Sequence, residues 1–98
     1  MEGYKPGYQM FKVGAQREKF QRRTNLLNKL QEMKVLDKKG KVLGLGALQR
    51  RLDNYAVVII FKDGDKTRAE FSKDSEDEAW EKIKNHTPEA KLVEKITI

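Results

Sequence analysis

Residues 55–71 read Tyr-Ala-Val-Val-Ile-Ile-Phe-Lys-Asp-Gly-Asp-Lys-Thr-Arg-Ala-Glu-Phe, and the fold turns on them. Tyr55–Phe61 is rich in β-branched and aromatic residues and apolar on both alternating faces, the composition of a strand covered on both sides. Lys62 to Lys66 brings an Asp-Gly step, the local signal for a tight hairpin. Beyond it Thr67, Ala69 and Phe71 alternate with Arg68, Glu70 and Ser72, so the returning strand is expected to be half exposed. Downstream, Ser75-Glu76-Asp77-Glu78 has the form of a capping box, in which a serine hydroxyl takes a free N–H and the glutamate reaches back. It opens a helix of about residues 76–86 with Ala79, Trp80 and Ile83 turned inward, and Thr87-Pro88 ends it. Ala90–Ile98 reads as a last strand with Leu92, Ile96 and Ile98 on one face. The order is β-β-α-β, with the final strand placed beside the central one.

Upstream, Ala15 to about Lys34 contains no glycine or proline and is built from good helix formers. Phe20, Leu26, Leu27, Leu30 and Met33 form an apolar stripe, so a long helix is expected to lie on the sheet. Arg17, Glu18, Asn25, Asn28, Lys29 and Glu32 fall on the opposite side. Tyr8–Val13 alternates well enough for a short strand, and Gly3, Pro6 and Gly7 make residues 1–7 an expected loose arm. Val35–Leu43 reads as a small hairpin with a basic tip, and Ala47–Leu52 as two turns of helix. The fold class is α+β: a small antiparallel sheet, the C-terminal β-β-α-β unit, with a long N-terminal helix packed on it. Residues 8–98 form a single domain, with a basic half over 15–52 and a sheet scaffold over 53–98.

The 98 residues carry 21 Lys/Arg and 15 Asp/Glu, a net charge of +6. The charge is unevenly placed. Residues 1–52 hold thirteen bases and four acids, a net +9, whereas residues 53–98 hold eight bases and eleven acids, a net −3. Such asymmetry suits a chain with one half facing a polyanion. With no cysteine and only His86, thiolate chemistry, disulfides and a multi-histidine metal site are excluded. No apolar run approaches the roughly 20 residues of a membrane span. The opening Met-Glu-Gly-Tyr-Lys-Pro has no apolar stretch behind it, so a cytoplasmic protein without membrane contact is expected.

The candidate contacts are Arg22 and Arg23 on the long helix, Lys38, Lys39 and Lys41 at the hairpin tip, and Arg50 and Arg51 on the short helix. Such cations supply most non-specific affinity for nucleic acid, and a guanidinium can also clamp a phosphate or a guanine edge with two hydrogen bonds. A compact helix-turn-helix does not fit, because too many residues separate the two helices. Tyr4 offers a ring for base stacking, while Tyr8 and Phe11 go to packing. Gly44-Leu45-Gly46 lacks the third glycine of a dinucleotide loop and the Gly-Lys-Ser/Thr of a triphosphate loop. Asp53, Asp63, Asp65 and Glu70 belong to turn chemistry before metal chemistry. The acids at the start of the 76–86 helix complement its dipole. The expectation is a non-enzymatic accessory or regulatory protein, without cofactor, catalytic residues or metal, that binds DNA or RNA as a monomer or homodimer. The alternative is a protein-interaction module, docking its basic half or a sheet edge on a partner protein.

Overall fold

The structure, a computed structural model, describes the backbone of residues 7–98, with side chains from Glu18 onward apart from Lys19. Three helices and three strands follow in the order α1 (Gly7–Met33), α2 (Leu45–Asn54), β1 (Val57–Asp63), β2 (Lys66–Ser72), α3 (Glu76–His86) and β3 (Lys91–Thr97). The sheet is antiparallel with order β2-β1-β3, so the apolar strand is central as its composition requires.

Val57 to Phe61 are all buried, and their alternation divides the core in two. Val58 and Ile60 face Leu26 and Leu30 of α1, Leu48 and Leu52 of α2, and Val35 and Leu43 of the intervening loop. Val57, Ile59 and Phe61 face Ala79 and Ile83 of α3, with Ala90 beside them and Trp80 at the rim. The long helix and α3 therefore lie on opposite faces, giving three layers. Burial of each side chain from Val57 to Phe61 contributes about 1.5–3 kcal/mol, which is why this strand organises everything around it.

Ser75 caps α3 as expected, accepting from the Glu78 N–H at 3.2 Å. The Glu78 carboxylate reaches back to the serine hydroxyl, accepting from it at 2.9 Å. At the β1–β2 turn the loop residues are Gly64 and Asp65, and Gly64 takes φ +66°. The glycine thus stands first in the loop, the arrangement of a II′ hairpin, and not second as an Asp-Gly turn would have it.

Three expectations are corrected. The strand expected over Tyr8–Val13 is helix, continuous with α1 from Gly7. Gln9, Met10 and Lys12 favour a helix, an isolated glycine such as Gly14 costs a helix only about 1 kcal/mol, and extension adds one hydrogen bond per residue. The arm expected over 1–7 falls, apart from Gly7, outside the described residues. Phe20 does not join the docking stripe; it is 74% exposed, and the buried face begins at Leu26. Leu92 does not share a face with Ile96. The β1–β3 register shifts between Ile60 and Phe61, pairing Glu94 with Ile60 and Leu92 with Phe61, so Val93 is an extra residue that reverses the alternation.

Polar contacts strap the layers together. Arg23 of α1 pairs with Asp53 of α2, and Lys29 of α1 with Glu94 of β3. On the other face Lys95 of β3 reaches Asp77 of α3 at 2.8 Å, and Thr97 donates to Glu76. Among the described residues, no helix is long and apolar enough to cross a membrane.

Candidate nucleic-acid interface

Two elements of the basic half converge near the end of β2. The first is α2. Leu48 and Leu52, one turn apart, fix its inner face, which leaves Arg50 exposed and Arg51 half-buried on its flank. The Arg51 guanidinium carbon lies 5.8 Å from the centroid of the Phe71 ring, within cation–π range. The helix ends at Tyr55, whose ring meets Phe71 with centroids 6.1 Å apart and planes tilted by 50°. Lys73, just beyond β2, places its ammonium 5.9 Å from the centre of the Tyr55 ring.

The second element is the hairpin between Val35 and Leu43. Leu36 bridges Val42 across it, and the Asp37 N–H donates to the Lys41 carbonyl at 2.9 Å. The Asp37 carboxylate accepts from the N–H groups of Lys39 and Lys41 at 2.8 and 2.9 Å. Gly40 supplies the left-handed residue, φ +81°, that closes the tip. The Lys41 N–H holds the Asp37 carboxyl below its ordinary value of 3.8 against the opposing effect of desolvation, with help from the Lys39 N–H and the charges of Arg51 and Lys39. Leu36 also bonds to β2, donating to Thr67 at 3.0 Å and accepting from Ala69 at 3.3 Å. That pairing sets the hairpin against the outer edge of β2 and brings its lysines towards α2.

Two recesses result. One, of about 390 Å³, is lined by Asp37, Lys38, Lys39, Arg51, Tyr55, Glu70 and Phe71, among others. The next, of about 380 Å³, is lined by Ala47, Arg50, Arg51, Asn54, Tyr55 and Lys73. Arg51 and Tyr55 are common to both. The structure thus brings together Lys38, Lys39, Arg50 and Arg51 of the sequence candidates, and leaves three aside. Arg23 is bound to Asp53 and lines a separate hollow with Phe20, Leu27 and Gln49. Arg22 is exposed on α1, and Lys41 spends its backbone on the hairpin; neither lines the two recesses.

Sequence reasoning missed Lys73, Tyr55 and Phe71. The aromatics were absorbed by the strand pattern, although the spacing of Arg51 and Tyr55, one helical turn, was a usable signal. Lys73 had none, because only the β1–β2 pairing carries it back to the end of α2. Elsewhere Asp63, an acid of the turn, accepts from Arg68 at 3.1 Å, and the Arg68 guanidinium carbon lies 5.2 Å from the Phe61 ring centroid. Comparison with known protein families, curated proteins and solved structures gives no match to this chain.

Proposed function

We propose that this chain is a non-enzymatic nucleic-acid-binding protein with an accessory or regulatory role, and that Lys38, Lys39, Arg50, Arg51 and Lys73 take the phosphates. The observation that carries this reading is a local excess of unmatched positive charge. Arg23, Lys29, Arg68, Lys82 and Lys95 each have a carboxylate partner. Among the described residues, Lys39, Arg50, Arg51 and Lys73 have none within ion-pair distance, and the Lys38–Glu70 pair is long, at 3.9 Å. Like charges held close on one surface repel each other, and a polyanion relieves that repulsion while releasing its own counterions.

The competing reading, strand addition by a partner protein, draws on the outer edge of β3, which is unpaired among the described residues. That edge carries the bulge at Val93 and the flanking lysines Lys91 and Lys95, devices that discourage a further strand. The outer edge of β2 is already met by Leu36. The charged surface is the better supported of the two.

Fluorescence anisotropy against single- and double-stranded polymers, at several salt concentrations, tests the proposal. The logarithm of the affinity is expected to fall linearly with the logarithm of salt, and the double substitution Arg50→Ala/Arg51→Ala is expected to reduce the slope by about 1.4 on single strands and about 1.8 on a duplex. An unchanged slope would move the contact off this surface, and absence of binding to every polymer at low salt would remove the reading.

A further inference from the structure

We infer that the nucleic acid is single-stranded and is held as one base and one phosphate in adjoining recesses, with Arg51 and Tyr55 as their shared wall. This rests on the nucleic-acid reading above and narrows it.

The two recesses differ in chemistry. That at the hairpin combines two aromatic rings, Tyr55 and Phe71, and two carboxylates, Asp37 and Glu70, with the cations Lys38, Lys39 and Arg51, of which the two lysines take the phosphates that flank the base. Carboxylates repel phosphate but accept hydrogen bonds from the amino and imino groups of a base, and aromatic rings stack on its face. The recess at the end of α2 presents Arg50, Arg51, Lys73 and Asn54 and no carboxylate. It suits the phosphate. Volumes of about 390 and 380 Å³ give room for one such group each.

Only an unpaired base can lay its face on Tyr55, because in a duplex both faces are stacked and the pairing edge is used. Lys73 covers the Tyr55 ring in the free protein and belongs to the phosphate recess as well. A purely electrostatic surface would favour the duplex, with its denser charge. The aromatic wall is what reverses the preference.

The test measures the affinity of the full chain for oligothymidine, oligouridine and a duplex of equal length, about 12 nucleotides, at one salt concentration. Both single strands are expected to bind about ten-fold more tightly than the duplex. Tyr55→Leu is expected to lose about ten-fold on the single strands and to leave the duplex unchanged. Circular dichroism establishes whether the variant folds. A second measurement avoids the substitution: an oligonucleotide carrying 5-iodouridine, irradiated on the unaltered protein, is expected to crosslink to the tryptic peptide Leu52–Lys62, which contains Tyr55. A duplex bound as tightly as the single strands, or equal losses on both, or crosslinks only on other peptides, overturns the inference while leaving nucleic-acid binding in place. If no polymer binds, both fail together.

Discussion

Lys34 ends α1 with φ 51°, the one non-glycine residue in the left-handed region among the described residues. Its N–H donates to the carbonyl of Gln31 at 3.1 Å, tightening the last turn, and the chain then reverses into the hairpin. A side chain in that conformation costs about 1–2 kcal/mol, which glycine avoids at some cost in unfolded-chain entropy. Lys34→Gly is therefore expected to raise stability by about 0.5 kcal/mol, measured by urea denaturation. A single sequence contains no sign of this strain, since lysine suits the last turn of a helix on charge alone. Phe20 is the converse case. Its spacing from Leu27 and Leu30 is correct for a buried stripe, yet nothing covers it among the described residues, because periodicity states which face is apolar and not how far the covering layer extends. Arg51 lay between: its charge was legible, its ring partner was not.

At the scale of elements, α3 was readable to its ends because both are set by local chemistry, a serine cap and a Thr-Pro stop. The strand expected near the N-terminus and the face assigned to Leu92 failed for the opposite reason. Whether Tyr8–Val13 extends depends on a distant partner strand, and Val93 becomes a bulge only in the pairing with β1. The hairpin between Val35 and Leu43 has a consequence in acid. Asp37 is held below its ordinary value chiefly by the N–H of Lys41. A carboxyl depressed in the folded state contributes stability in full above its unfolded value, and that contribution disappears as pH falls through the folded one. The melting temperature of the native chain is thus expected to fall more steeply below about pH 4 than that of Asp37→Asn, whose amide oxygen still accepts the same two N–H bonds. Thermal melts between about pH 5 and pH 2 compare the two slopes. Parallel slopes would mean that the carboxylate charge does not tighten the tip.

For the molecule as a whole, the division into a basic and an acidic half serves assembly. Among the described residues, two close ion pairs, Arg23–Asp53 and Lys29–Glu94, run from one half to the other, so part of the +9 surplus is matched internally. The residue list drawn from charge alone could not separate matched cations from free ones; tertiary structure does. The strand order β2-β1-β3 has a further effect, on the sequence of events in folding. β1 meets β2 across Gly64 and Asp65 but meets β3 only after the chain has passed through α3, from Lys62 to Lys91. The first seam closes a very short loop and the second a long one, so the hairpin is the seam that can form early. Gly64, at φ +66°, then controls a rate. Gly64→Ala is expected to slow refolding several-fold in stopped-flow measurements while changing the unfolding rate little. A substitution that instead accelerated unfolding at an unaltered refolding rate would place the closure of that turn after the barrier.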